Sequence, residues 1–223
     1  MVEARQGLRA RVPWAETLAA ALLVGLAGYL MGWIPHPAPA LRIAGLDLGE
    51  YVKFLPEVRA GQVRVQRELF SLPLLAGCWG LLLSVWGMRG PWRWPARVLG
   101  LPLAAVVALL MLPPVWTPHT LFRGEFQRQG VAIVGCLVAV ACSPLLLVED
   151  VRRAVAAVTG VLCLLASVLP VVQFFAVKPA LEKVYAAPLP TGVGVRLCLA
   201  GFLLAGALCL FAAWPGWPRP TRG

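Results

Sequence analysis

The sequence predicts an all-α polytopic membrane protein: a six-helix transmembrane bundle with a short interfacial helix in its first outer loop. Three observations carry that prediction. Of 223 residues, 60% are hydrophobic and only 13% charged, with a mean hydropathy of +0.78, whereas soluble domains average about 25% charged and about 45–50% apolar. Six apolar runs, at about 14–34, 69–88, 98–115, 130–148, 154–177 and 195–214, approach the roughly 20 residues needed to cross about 30 Å of hydrocarbon. Ionisable residues gather between the runs or, like Glu16 and Arg196, at their ends, with the uncharged Gln173 near the end of the fifth. Residues 1–223 therefore read as a single integral membrane domain.

The first run follows Arg5, Arg9 and Arg11 and precedes "APA" at 38–40, the outline of a signal peptide. It is longer than the usual apolar core of about 7–15 residues and contains Glu16, so it is expected to stay as a helix. Gly25, Gly28 and Gly32 in this run, and Ala76, Gly80 and Ser84 in the second, recur at four-residue spacing. Such small residues let helix backbones approach closely, which predicts that the first two spans pack through these faces.

Between them lies the outer loop, 35–68, whose 34 residues exceed the roughly 2–8 that join helices in bundles. Asp47 and Glu50 have capping-box spacing, with Asp47 as the expected N-cap. Leu48, Tyr51, Val52 and Leu55 share one side of the helix that would follow. Pro56 limits or bends it. Asp47, Glu50, Tyr51, Phe54 and Leu55 are the candidate partner-docking residues. "GQVRVQRE" after them carries too many charges to cross lipid and is expected as an extension of the second span or a surface strand.

Tryptophans at 14, 33, 86, 92, 94, 116, 214 and 217 mark run ends, where indole sits well between headgroup and acyl chain. Pro35, Pro113, Pro114, Pro118, Pro179 and Pro215 are expected to end helices, and Pro73 and Pro102 to occupy first turns. Pro144 and Pro170 fall inside spans, where neighbours can satisfy the freed carbonyls. The cysteines at 78, 136, 142, 163, 198 and 209 all lie in apolar runs without Cys-x-x-Cys spacing and read as packing residues.

Ten Lys and Arg fall on each side of the bundle. The short connections carry theirs at higher density, which places both termini in the cytoplasm under the positive-inside rule. The net charge of +10 is dealt out between apolar runs rather than gathered on one soluble face, which argues against nucleic acid and for lipid headgroups. Richness in Arg and Ala with three Lys points to a GC-rich bacterial genome and a plasma (inner) membrane location.

The two histidines, His36 and His119, occur in similar stretches, "WIPH" and "WTPH", 83 residues apart. Each stretch precedes a connection containing "QR" and a span containing "GC", the outline of a weak hairpin repeat. As metal ligands the pair would have to meet each other and a carboxylate such as Glu50 or Glu125. Shared helix-exit chemistry explains the motif more simply, so no metal, cofactor or catalytic residue is assigned. Phosphate-loop, nucleophile-elbow and zinc-helix motifs are absent from the sequence, and no ionisable group sits at depth, where ion-coupled transporters need one.

The expected function is therefore non-enzymatic: a membrane subunit or assembly and accessory factor acting through its extracytoplasmic loops. Its expected partners are the lipid bilayer and a membrane protein or second copy of this chain. One alternative is a permease or lipid-handling protein, with a pathway lined by Ser, Thr, Gln and the backbone freed at Pro144 and Pro170. Another is an interfacial lipid-active enzyme using His36, His119, Glu50 and Glu125.

Overall fold

A backbone surrounded by lipid has to satisfy its N–H and C=O groups within its own segment, and the helix does this. The computed structural model describes residues 14–35, 42–113, 116–122 and 124–214, and these are predominantly helical. In chain order the elements are helix α1 (Trp14–Leu30), strands β1 (Gly32–Ile34) and β2 (Ile43–Ala44), and helices α2 (Gly45–Tyr51), α3 (Pro56–Arg59), α4 (Leu72–Gly87), α5 (Arg93–Leu109), α6 (Pro118–Leu121), α7 (Gln127–Ala141), α8 (Glu149–Tyr185) and α9 (Val193–Ala213). Helices α1, α4, α5, α7, α8 and α9 stand on the six apolar runs.

Three helical stretches are long and apolar enough to cross a membrane: Arg67–Gly87, Glu149–Tyr185 and Val193–Ala213. Helices α1 and α7 are apolar but shorter. At 1.5 Å per residue the 17 residues of α1 span about 25 Å, less than the roughly 30 Å of a hydrocarbon core. The ends of these runs take other structure. Gly32–Ile34 leave α1 and pair antiparallel with Ile43–Ala44, a small ribbon the sequence did not announce. Leu110 caps α5 and Met111 turns back to bond the Ala108 carbonyl. Ser143–Leu147 tighten into a 3₁₀ turn that opens on Pro144, ending α7 early.

Helix α8 does the reverse. It continues through Pro170 and Pro179 to Tyr185, so Pro179 does not end a helix as expected. Pro102 likewise lies inside α5, because that helix starts at Arg93 rather than beside the proline. Pro73 does occupy the first turn of α4.

The pairs α1–α9, α1–α4 and α8–α9 pack antiparallel, and glycine decides who meets whom. A Cβ on Gly28 would fall 2.3 Å from the Cys198 nitrogen, one on Gly201 2.4 Å from the Gly25 nitrogen, and one on Gly194 2.6 Å from the Gly28 oxygen. Backbone therefore touches backbone along α1 and α9. This corrects half of the expected pairing of the first two spans: they do meet, with Gly80 of the small face of α4 in the contact, but the glycines of α1 face α9. The first helix meets α4 with leucines instead: a Cβ on Gly77 or Gly80 would strike the side chains of Leu26 or Leu22. Knobs of α1 fill dents in α4, while its flat glycine face is reserved for α9. At the far end, Gly206 and Gly160 bring α9 against α8.

One end of the bundle, called here the broad end, carries β1, β2, α2 and α3; the opposite, narrow end carries the α4–α5 and α7–α8 turns. Trp33 organises the broad end. It is 0% exposed, so it is a buried wedge and not the interfacial anchor expected from its position. Its indole N–H donates to the Gly28 carbonyl at 3.2 Å, and its ring meets Tyr29 and Phe174 edge-on at centroid distances of 6.4 and 5.5 Å. The Gly192 N–H donates to the Trp33 carbonyl at 2.8 Å. Gly45 lies against the same indole, so close that a Cβ there would fall 2.8 Å from its Nε1. Trp92, Trp94, Trp116 and Trp214 are exposed, as anchors would be.

Large apolar side chains such as Leu99, Val131, Val158, Val172, Leu204 and Phe211 are exposed on the outward faces of α5, α7, α8 and α9. Lipid is the solvent that tolerates such a belt. Five cysteines are buried and Cys142 is exposed where α7 ends, a departure from six uniformly packed thiols. In folded, detergent-solubilised protein, a maleimide should modify Cys142 well ahead of the other five. Equal rates for several thiols, read by intact mass, would contradict this packing.

Candidate functional site

The loop between the first two runs folds back on the bundle because its apolar residues share a face. Of the four residues predicted to share a face, Leu48, Val52 and Leu55 are buried and Tyr51 is half-buried. The helix starts one turn earlier than expected, with Ala44 as N-cap and Asp47 at the third position; the Asp47 carboxylate accepts the Ala44 N–H at 3.2 Å. Val52–Phe54 continue as a 3₁₀ turn, and Pro56 opens α3. Residues 62–66 form no strand, and Arg67–Ser71 form a 3₁₀ turn leading into α4.

Polar contacts fasten this segment to α8. The Lys183 ammonium lies 3.4 Å from the Glu57 carboxylate. The Gln66 N–H donates to Gln173 Oε1 at 3.2 Å, and the Tyr51 and Tyr185 hydroxyls are in hydrogen-bond contact. The surface ion pair alone contributes only about 0–1 kcal/mol; the buried leucines and valine supply more of the docking energy.

Beneath the segment is a cavity of about 360 Å³ at the broad end, between α2, the start of α4, the end of α5 and the start of α7. Leu74, Leu110, Met111 and Phe70 give it an apolar wall, while Asp47, Glu50, Arg67, Glu68 and Gln129 bring polar groups to it. The Tyr29 hydroxyl, also on the lining, donates to the Phe70 carbonyl at 2.6 Å. The Gln129 amide donates to the Met111 carbonyl and so ties α7 to the end of α5. Phe126 gathers two cations, with Lys53 Nζ 5.3 Å and Arg67 Cζ 5.1 Å from its ring centroid. Lys53 also pairs with Glu50 at 2.5 Å. Arg128 approaches Glu68 at 3.9 Å, a long contact between surface groups that contributes little.

Of the five docking candidates, Asp47, Glu50, Tyr51 and Phe54 line the cavity. Leu55 is buried in the bundle instead. Phe54 is 73% exposed, which makes it both a cavity residue and a surface one. Tyr29, Phe126 and Gln129 were missed by the sequence reading. Tyr29 sits in an apolar run and Gln129 at the edge of another, and no local spacing connects either to residues 47–54.

His119 is exposed in α6, whereas His36 and the side chain of Glu125 lie outside the described residues. Among the described residues no group of three or more His, Cys, Asp or Glu is placed to hold a metal. The two "W-x-P-H" stretches are not equivalent: Trp33 is buried and Trp116 exposed. Their "GC" pairs differ as well, since a Cβ on Gly77 would meet Leu26 and one on Gly135 would meet nothing within 4 Å. Of the features behind the permeation reading, Ser71 and Gln129 line the cavity, whereas Pro144, Pro170 and Gln173 do not. No protein-family model matches the chain, and no curated protein or solved structure matches it significantly.

Proposed function

We propose that this chain is a non-enzymatic membrane subunit or accessory factor that docks a membrane-protein partner, or a second copy of itself, with the segment over its broad-end cavity. In this reading all six long helices lie in the bilayer, the shorter ones with local thinning or snorkelling at their ends. Both termini face the cytoplasm, and the broad end is extracytoplasmic, in the plasma membrane of a bacterium. The observation that carries the reading is Phe54: a large apolar side chain, 73% exposed, on a segment whose Leu48, Val52 and Leu55 are buried and whose Leu46, Tyr51 and Val58 are half-buried against the bundle. Aromatic side chains presented this way next to a pocket are the usual anchors of a protein interface.

A second reading is favoured by the cavity itself. An apolar wall with charged and amide groups beside it matches the amphiphilic character of a lipid, so lipid handling at the extracytoplasmic interface is the alternative. The two readings separate on one substitution. Phe54→Ser removes exposed apolar surface without opening the core, whereas Leu55→Ala cuts a buried side chain and is expected to cost about 2–5 kcal/mol. For the accessory reading, Phe54→Ser should lower partner recovery about tenfold or more at normal membrane abundance, and Leu55→Ala should lower abundance. Full partner recovery by Phe54→Ser would remove the docking proposal, and a copurified lipid without a protein partner would favour the alternative.

A further inference from the structure

The turn at the narrow end carries three arginines, Arg89, Arg93 and Arg97, and two tryptophans, Trp92 and Trp94, within nine residues. Gly90, at φ 66°, supplies the left-handed backbone that reverses the chain there. Both tryptophans are about two-thirds exposed, at 66% and 67%, and Arg89 and Arg93 are exposed as well. Arg97 is different. Its guanidinium lies 4.1 Å over the ring of Trp86, near the end of α4, with Trp94 on it at 5.6 Å.

Two donors in this stack are unsatisfied. Trp86 Nε1 and Arg97 Nε are each shut off from solvent and have no hydrogen-bond partner. An occluded donor without an acceptor is unfavourable, more so when the group is charged, so two in one stack point to an acceptor that binds there. The acceptor is not a carboxylate of the described chain. Arg89, Arg93 and Arg97 make no ion pair among the described residues, and the nearest acidic group in sequence on the neighbouring narrow-end turn, Glu149, is held by Arg152 and Arg153.

We propose that Trp86 and Arg97 bind the phosphate group of one anionic phospholipid, with Arg93 adding charge and Trp94 closing over it. A phosphate diester offers several acceptor oxygens and a negative charge at the depth where interfacial tryptophans reside. Trp94, being mostly exposed, is free to move aside and admit it. The neighbouring Trp92 then lies along the acyl-chain boundary.

The test uses the full chain in neutral detergent, titrated separately with phosphatidylglycerol, phosphatidylcholine and millimolar inorganic phosphate, and read by native mass spectrometry and thermal unfolding. The wild type should retain one phosphatidylglycerol more firmly than any phosphatidylcholine and should unfold at a higher temperature in its presence. Trp86→Phe, which keeps the ring and removes the N–H, and Arg97→Gln should each weaken retention about tenfold or more. Both should keep the wild-type unfolding midpoint in phosphatidylcholine. Arg153→Gln, which removes an ion-paired charge from the same end, should leave retention unchanged. Equal retention of both lipids, equal loss in Arg153→Gln, or the same stabilisation by inorganic phosphate alone would each overturn the lipid site. Should Arg97→Gln fail to fold, Trp86→Phe decides alone.

Discussion

Gly201→Leu is expected to separate α1 from α9 and to leave little folded protein. A single Cβ at this position would already fall 2.4 Å from the Gly25 nitrogen, 2.5 Å from the Gly25 Cα and 2.7 Å from the Ala21 oxygen. These are backbone atoms, so no rotamer change makes room. Overpacking a core costs about 1–3 kcal/mol when side chains can shift; here a helix has to move, and the loss should reach or exceed the top of that range. A domain stability of about 5–15 kcal/mol absorbs such a loss poorly. The measurement is the folded fraction after detergent extraction, by size-exclusion profile and thermal midpoint. Gly135→Ala is the matched control, because a Cβ there meets nothing within 4 Å. It should be neutral or stabilising by up to about 1 kcal/mol, the helix-propensity gain of alanine over glycine. If Gly201→Leu unfolds at the temperature of the wild type, the backbone-to-backbone seam between α1 and α9 is wrong.

Trp33→Ala should be nearly as damaging, because this side chain joins three parts of the chain. Its ring packs between Tyr29 of α1 and Phe174 of α8 and lies against Gly45 at the start of α2, and its indole N–H bonds the Gly28 carbonyl. Removing a fully buried indole is expected to cost about 3–5 kcal/mol. Trp33→Phe fills much of the space and forfeits one hydrogen bond, so a loss nearer 1 kcal/mol plus a small cavity is expected. The order wild type, Phe, Ala in thermal midpoint is the prediction. An Ala variant as stable as the Phe variant would mean that the residue is only an interfacial anchor after all.

These two residues also mark where sequence reasoning stopped. Apolar periodicity and length placed a helix on each of the six runs, three of them within stretches long and apolar enough to cross a membrane. The spacing of Leu48, Val52 and Leu55 likewise gave the packed face of α2 and its 3₁₀ continuation, since that face is a local property. Partner choice is not local. Gly25 and Gly28 announce a close approach, but the helix that makes it, α9, lies about 170 residues away in sequence, and α4 offered a face of the same spacing.

Trp33 failed for a related reason: at the end of an apolar run, an indole bound for the headgroups and one turned inward look alike. The fold back of Ile43–Ala44 and the close backbones of Gly45 and Gly192 decide between them, and these contacts come from distant parts of the chain. The cavity was legible in part for the same reason. Residues 47–54 could be singled out because they form one helical segment, whereas Tyr29, Phe126 and Gln129 join them only through the packing of α1, α4, α5 and α7.

The proposal that the broad-end segment docks a partner is tested most directly by cysteine protection at Phe54. A Phe54→Cys chain is labelled with an impermeant maleimide, first in native membranes and then after detergent has stripped associated proteins, with recovery of partner followed in parallel. Docking predicts slow labelling in the membrane, rapid labelling once a stoichiometric partner has been removed, and protection regained when that partner is added back. Labelling at one rapid rate in both states, with the chain recovered free of any protein partner, would contradict it.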